Sequence, residues 1–174
     1  MKRLFIGLEL KASTKNYLHH CQDKLKSTVK KAQWIESTNF HVTLKYLGPT
    51  DNLDAIADTL SDQFKNIEPF TFTIDTVETF KRGQRHIIWA GSKNKNKPLL
   101  ALVNQLETAM QRMGFSKETR PYTLHITLAR DAILTEVLDL PIYHTIHVRA
   151  LTLFESHRVN GKLTYTQRSK HVLE

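Results

Sequence analysis

The sequence has little of several features that define whole classes of proteins. It contains a single cysteine, Cys21, so the chain cannot form an internal disulfide framework. No apolar run approaches the ~20 residues that a membrane-spanning helix needs. No basic segment followed by an apolar stretch and a cleavage site opens the chain, as it would in a secretory precursor. We therefore expect a cytoplasmic protein that has no membrane segment.

Linker-like segments are also missing, since no Pro-rich, Gly/Ser-rich or low-complexity tract interrupts the 174 residues. A chain of this length buries about 70% of its unfolded surface on folding, which is enough for one stable core. We expect residues 1–174 to form a single domain, and we expect a monomer. Acidic residues are scarce relative to basic ones, 17 against 25, and the net charge of +8 favours a polyanionic partner such as RNA or a phosphorylated ligand.

The hydrophobic periodicity predicts a mixed arrangement of strands and helices. Strands are predicted at 4–10, 34–35, 41–47, 70–80, 87–90 and 124–129, and helices at 14–31, 53–66 and 98–114. Gly48 and Pro49 are expected to end the strand at 41–47. A basic turn around Gly83 predicts a hairpin, and segments 142–157 and 163–166 predict a second hairpin around Gly161.

Two halves of the chain repeat one plan, in which a strand and a helix precede a strand that carries His-x-Thr-Leu. The first motif is His41-Val-Thr43-Leu and the second is His125-Ile-Thr127-Leu. Such a repeat predicts two pseudo-symmetric lobes, related by an approximate two-fold, with each lobe supplying one motif to a cleft between them.

Alternate side chains of a strand share a face, so each motif places one imidazole and one hydroxyl on the same side. If both motifs face one cleft, His41 and His125 can serve as acid and base, because imidazole titrates near ~6.5. Thr43 and Thr127 can donate hydrogen bonds to the non-bridging oxygens of a phosphate. Strand parity adds Lys45 to this face as a substrate-binding candidate and places Arg130 on the opposite face, unless the strand bulges.

A metal site is not indicated, although the chain has nine histidines. The sequence contains no His-Glu-x-x-His, no cysteine pair and no close His/Asp cluster with ligand spacing. We therefore expect chemistry that needs neither a metal ion nor another cofactor.

These motifs resemble those of the two-histidine phosphoesterase superfamily, and within it the RNA 2′,3′-cyclic phosphodiesterases, formerly described as 2′-5′ RNA ligases. The similarity covers nearly the whole chain and rests on residues 3–7, 39–48, 120–122, 125–130 and 153–156, with Gly161 and Tyr165 near the end. One departure is Leu124, where the family often has proline. The resemblance implies a bilobal α+β fold with two antiparallel sheets around a central cleft and helices outside, no metal, and opening of a terminal 2′,3′-cyclic phosphate to a 2′-phosphomonoester.

By resemblance, His125 is the base that activates water, His41 is the acid, and Arg130 lies near the phosphate. Phe5 and Tyr122 are candidates for holding a nucleobase, although aromatic residues in such positions are more often part of a core. Two other functions stay open: a phosphodiesterase acting on another small diester, such as a 2′-5′ oligoadenylate or a cyclic phosphate of ADP-ribose, and an RNA-binding protein of the same fold without turnover.

Overall fold

The computed structural model describes residues 1–174 and contains three α-helices and ten strands. The helices are α1 (Ala12–Leu25), α2 (Leu53–Phe64) and α3 (Lys97–Arg112). The strands are β1 (Lys2–Glu9), β2 (Val29–Trp34), β3 (His41–Thr50), β4 (Phe70–Ile74), β5 (Thr76–Arg82), β6 (Arg85–Gly91), β7 (Ile126–Leu134), β8 (His144–Val148), β9 (Ala150–Val159) and β10 (Lys162–Val172). None of the three helices combines the length and the apolar character that crossing a membrane requires.

The strands form two four-stranded sheets and one small sheet. The first sheet has the order β10-β9-β1-β3, the second has the order β2-β7-β6-β5, and β4 pairs with β8 alone. Every strand pair is antiparallel. The predicted α+β class with two antiparallel sheets is confirmed, and the β4-β8 ribbon is an addition that the sequence pattern did not indicate.

The strand-helix-strand order of the repeat occurs twice in the structure, and the first occurrence contains an additional strand, β2, that belongs to the second sheet. In one unit β1 leads through α1 and β2 to β3, and in the other β6 leads through α3 to β7. In both units the strand before the helix pairs antiparallel with the strand that carries the motif. One His-x-Thr motif therefore belongs to each four-stranded sheet.

A continuous core of 35 buried residues joins the sheets and the helices. Leu4 and Ile6 from β1, Ile88 from β6 and Leu106 from α3 are fully inaccessible to solvent. Helix α3 starts as predicted, with Pro98 in its first turn and the Asn96 side chain accepting a hydrogen bond from the Leu99 amide. This shared core holds the two motif strands in fixed positions.

The first helix is shorter than its periodicity predicted, because residues 29–31 belong to β2 and not to α1. Val29 continues the helical spacing of Cys21 and Leu25, and it fits the alternation of a strand equally well. Pairing of Val29 with Leu134 of β7 decides in favour of the strand. The local pattern was ambiguous, and only a distant segment resolved it.

Gly48 and Pro49 do not end β3, contrary to the prediction. The strand runs on to Thr50, with Gly48 at a φ of 80° and Pro49 opposite Arg3 of β1. Proline lacks an N–H, which is harmless here because β3 is the edge of the first sheet and has a partner on one side only.

The long strand predicted at 70–80 is two strands in different sheets, and the segment 142–157 divides in the same way into β8 and β9. The break in the first case lies at Asp75, whose amide donates to the Gly91 carbonyl. The Asp75 carboxylate also accepts from the Lys93 amide, at 2.8 Å. These two hydrogen bonds turn the chain from the small sheet into the second sheet. The predicted hairpins around Gly83 and Gly161 are confirmed as β5-β6 and β9-β10.

Candidate active site

The two His-x-Thr motifs line one solvent-open cleft of about 230 Å³. His41 is the first residue of β3, whereas His125 lies one residue before β7, so the second strand begins slightly later than predicted. The residues that line the cleft are Phe5, Ile35, Asn39, His41, Thr43, Tyr46, His125, Thr127, Arg130, Ser156 and Tyr165. The structure thus brings together the four residues predicted to be catalytic.

Strand alternation in each motif follows the prediction. Val42 and Ile126, the residues between His and Thr, have no exposed surface and belong to the core. The flanking imidazoles and hydroxyls therefore project to the other side of their sheets, into the cleft. The apolar residue within each motif anchors the strand, and the two polar residues are left for chemistry.

Both histidines have the same hydrogen bond to the chain just before them. The Nδ1 of His41 lies 2.8 Å from the Asn39 carbonyl, and the Nδ1 of His125 lies 2.9 Å from the Thr123 carbonyl. A carbonyl oxygen only accepts, so each Nδ1 carries the proton and donates it. In the neutral imidazole Nε2 is then an unprotonated acceptor. Each ring is fixed in orientation, with Nε2 as the nitrogen that can exchange a proton with a substrate.

His41 is the more enclosed of the two imidazoles. The rings of Phe5 and Tyr165 pack against it, with centroids 5.0 Å and 4.6 Å away. Burial lowers the pKa of His41 below its ordinary value, and the positive charges of His125 and Arg130 lower it further, while the hydrogen bond to Asn39 acts in the opposite direction. The Thr43 hydroxyl lies 2.9 Å from Nε2. Without an anion in the cleft, His41 therefore favours the neutral form.

His125 contacts a different pair of aromatic rings. Phe80 of β5 stands edge-on to it with centroids 5.5 Å apart, and Trp89 of β6 does so at 6.2 Å. Phe80 and Trp89 stack on each other at 4.7 Å. Both motif histidines are thus supported by aromatic side chains, each from its own sheet.

A β-bulge lies at the leucine that ends each His-x-Thr-Leu motif. Leu44 is an extra residue opposite the step from Gly7 to Ile6, and Leu128 is an extra residue opposite the step from Trp89 to Ile88. A bulge shifts the alternation by one, so the side chains beyond it change faces.

The bulge at Leu128 explains why Arg130 reaches the cleft. Ala129 turns into the core, with no exposed surface, and Arg130 lines the cleft with His125 and Thr127. Strand alternation alone placed Arg130 on the wrong face. The strand does bulge in the structure, and a bulge was the one condition under which Arg130 was expected to reach the cleft.

The equivalent bulge at Leu44 removes Lys45 from the cleft, so the prediction of Lys45 as a substrate-binding residue is wrong. Lys45 is only 6% exposed. Its ammonium lies 2.9 Å from the Glu107 carboxylate of α3 and 2.6 Å from the Ser116 carbonyl. Tyr46, which is 57% exposed, takes the cleft position that corresponds to Arg130.

The two aromatic candidates differ in their placement. Phe5 lines the cleft beneath His41 but is only 4% exposed, and its contact with a substrate stays a prediction. Tyr122 does not line it: its hydroxyl donates to the Thr43 carbonyl at 2.9 Å, and burial raises its pKa. The prediction for Tyr122 is corrected accordingly, because this side chain ties the segment before His125 to the strand that carries His41.

Several cleft residues were not among the predicted site residues, namely Ile35, Asn39, Tyr46, Ser156 and Tyr165. Ser156 and Tyr165 come from the β9-β10 hairpin, where they lie opposite each other. Nothing in the local sequence of that hairpin indicates chemistry; only its pairing with β1 brings it to the cleft. No group of three or more His, Cys, Asp or Glu side chains is arranged to hold a metal ion.

The two four-stranded sheets and the paired His-x-Thr motifs are those of a two-histidine phosphoesterase, and comparison with known proteins agrees. Residues 14–159 match the model of the 2′-5′ RNA ligase superfamily. The chain belongs to this family, which confirms the resemblance recognised in the sequence.

Two relatives illustrate the extent of the similarity. The RNA 2′,3′-cyclic phosphodiesterase of Escherichia coli K12 is 26% identical over 173 residues, covering 99% of this chain and 97% of the relative. A protein of the same name from Thermotoga maritima is 29% identical over 131 residues, covering 74% and 69% of the two chains. The crystal structure of E. coli LigT complexed with 3′-AMP superposes with a TM-score of 0.83 at 25% identity, covering 99% of this chain and 98% of that one.

Proposed function

We propose that this protein hydrolyses a terminal 2′,3′-cyclic phosphate, on RNA or on a nucleotide, to a 2′-phosphomonoester without a metal ion. The observation that carries the proposal is the pair of imidazoles in one cleft, each held by an Nδ1–H donated to a carbonyl, which makes Nε2 the nitrogen that can exchange a proton. Relatives that match nearly the full length are named RNA 2′,3′-cyclic phosphodiesterases, which supports this substrate class.

In the proposed reaction His125 acts as the base and His41 as the acid. Nε2 of His125 takes a proton from water as the water oxygen bonds to phosphorus, and the bond from phosphorus to the 3′ oxygen breaks. Nε2–H of His41 gives its proton to that leaving oxygen. The products are a 3′-hydroxyl and a 2′-phosphomonoester. Two separate histidines are needed because, in an in-line displacement, the water and the leaving oxygen lie on opposite sides of phosphorus.

Charge that develops on the non-bridging oxygens needs fixed donors. Thr43, Thr127 and Arg130 line the cleft beside the two histidines and supply two hydroxyls and one guanidinium. The Arg130 side chain makes no ion pair with an Asp or Glu, so its charge is available to the phosphate. One donor of this kind commonly contributes a few kcal/mol to transition-state stabilisation.

Substrate binding also resolves an apparent conflict in the role of His41, whose lowered pKa disfavours the protonated form that an acid requires. Nearby positive charge contributes to that lowering, and a cyclic phosphate brings a negative charge to the same place. The substrate anion therefore raises the pKa of His41 when it binds, so that His41 acquires its proton in the complex that uses it.

The site is complete within one chain, which supports a monomer as the active form. We assign residues 1–174 to one domain whose two large sheets act as lobes, and we place the protein in the cytoplasm.

The cleft of about 230 Å³ is smaller than the ~300–1,000 Å³ pockets that enclose drug-sized ligands. It accommodates the cyclic phosphate end, and the remainder of an RNA chain lies outside it.

The decisive experiment separates the two histidine roles in assays that contain a chelator. On an oligonucleotide that ends in a 2′,3′-cyclic phosphate, His41→Ala and His125→Ala each lose nearly all turnover, and wild type releases a 2′-phosphate. A p-nitrophenyl phosphodiester has a leaving group that needs no proton, so His41→Ala retains activity on it and His125→Ala does not.

His147→Ala is the matched control, because His147 is exposed on β8 and is not among the cleft residues. It retains activity on both substrates. Rescue of His125→Ala in place of His41→Ala exchanges the two roles. Substantial turnover of the oligonucleotide by both cleft variants, or loss of wild-type activity in chelator with recovery on adding a divalent ion, contradicts the proposal.

A further inference from the structure

The tip of the β5-β6 hairpin concentrates positive charge that no acidic residue of the protein neutralises. Lys81, Arg82 and Arg85 are exposed, and none of them forms an ion pair. Arg82 and Arg85 make hydrogen bonds only to the backbone carbonyls of Lys81 and Asp131. Elsewhere on the surface, lysines such as Lys26 and Lys162 do have carboxylate partners.

The arrangement of the two arginines is unfavourable in the absence of a ligand. Arg82 pairs directly with Arg85 across the hairpin, so both side chains lie on the same face of the sheet. Like charges opposite each other on neighbouring strands destabilise a hairpin. An anion bound between the two guanidinium groups converts this repulsion into attraction.

An aromatic ring continues the same face toward the cleft. Phe80 lies two residues before Arg82, so the two side chains share a side of β5, and the Arg82 guanidinium lies 5.8 Å from the Phe80 ring centroid. Phe80 is only half-buried. Its other neighbours are Trp89, which stacks on it, and His125. The acidic residue on this face, Glu78, accepts a hydrogen bond from the Thr76 hydroxyl and lies farther from the tip than Phe80.

The series His125, Phe80, Arg82 and Arg85 therefore leads from the catalytic cleft to the hairpin tip. Successive separations of 5.5 Å and 5.8 Å place the Arg82 guanidinium within about 11 Å of the His125 ring. At the ~3.4 Å axial spacing of phosphates along one strand of duplex DNA, about 11 Å corresponds to roughly three nucleotides. A few nucleotides of RNA span the distance from the cleft to the arginines.

We propose that this hairpin face, formed by Phe80, Arg82 and Arg85, binds the nucleotides of an RNA strand that precede its cyclic phosphate end. The inference rests on the proposed function, because a 2′,3′-cyclic phosphate terminates the strand and leaves only 5′ nucleotides to extend out of the cleft. Backbone phosphates bind the two arginines, and a base stacks on the face of Phe80 that the Arg82 guanidinium covers in the structure. Alternating aromatic and cationic groups are the usual means of binding single-stranded nucleic acid.

Kinetics on a short and a long substrate test this proposal. The substrates are a mononucleoside 2′,3′-cyclic phosphate, which fills only the cleft, and a hexanucleotide that carries the same end. For Arg82→Gln/Arg85→Gln, kcat/KM on the hexanucleotide falls about tenfold at low salt, the order expected for two exposed charge contacts. The salt dependence of KM on that substrate weakens by about 1.4 in log–log slope, since two single-strand phosphate contacts are lost. Values for the mononucleotide stay unchanged.

Lys65→Gln/Arg112→Gln is the matched control, since it removes two exposed charges, one just after α2 and one at the end of α3, that lie outside both the hairpin and the cleft. It leaves both substrates unaffected. Unchanged hexanucleotide kinetics in the arginine variant, or equal losses on both substrates, overturns the hairpin proposal. A wild-type enzyme that hydrolyses neither substrate overturns the proposed function instead, so the two failures are distinguishable.

Discussion

Replacement of Lys45 by methionine tests whether this buried lysine holds the fold together or contacts the substrate. Its ammonium bonds the Glu107 carboxylate and the Ser116 carbonyl, and the two side chains of the ion pair are 6% and 13% exposed. Glu107 also accepts from the Glu118 amide at 3.1 Å. The cluster thus connects β3, α3 and the segment that leads to His125.

The expected loss of stability follows from leaving Glu107 without its cation. Removal of one partner of a buried ion pair costs about 3–5 kcal/mol in free energy of unfolding, because the remaining charge stays desolvated. In a domain of this size each kcal/mol lowers Tm by about 2–4 °C. Lys45→Met should therefore unfold roughly 6–20 °C below wild type in a thermal melt followed by circular dichroism.

The double variant Lys45→Met/Glu107→Leu provides the matched comparison. Apolar replacement of both partners removes the unpaired charge, so most of the lost stability returns. Below its melting temperature, the double variant should show a KM close to that of wild type. A Lys45→Met protein that melts like wild type but has a strongly raised KM would refute this reasoning and return Lys45 to the substrate-binding residues.

Two further predictions follow from close contacts around His41. A Cβ at Gly7 would lie 2.5 Å from the Val42 carbonyl, so Gly7→Ala should displace the strand that carries His41 and lower both activity and Tm. Gly114→Ala is the comparison: its φ of 93° strains an alanine, but the Cβ would enter open space, so only Tm should fall. Because burial lowers the pKa of His41 from 6.5, folding stability should be retained above that pH and lost as the pH falls below it. In urea titrations between pH 7.5 and about 5, the free energy of unfolding should fall less for His41→Gln than for wild type. An equal dependence of the unfolding free energy on pH in both proteins would contradict the assignment.

Local sequence was sufficient wherever one strand or one turn decides the outcome. His-x-Thr on a strand places both polar groups on one face and the residue between them in the core, and this holds for both motifs. The hairpin turns at Gly83 and Gly161 were equally predictable, because glycine takes up at little cost the positive φ that both turns require. The repeat of strand, helix and motif strand indicated two related units, since each unit has its own hydrophobic periodicity.

What the sequence by itself determined is therefore the class of fold, the family and the four groups proposed for chemistry. Only the tertiary structure decided which side chains surround them. Bulges at Leu44 and Leu128 exchange the faces of Lys45 and Tyr46 and bring Arg130 into the cleft. Strand register depends on hydrogen bonds with a neighbouring strand that is distant in sequence, so no local pattern records where an extra residue is accommodated.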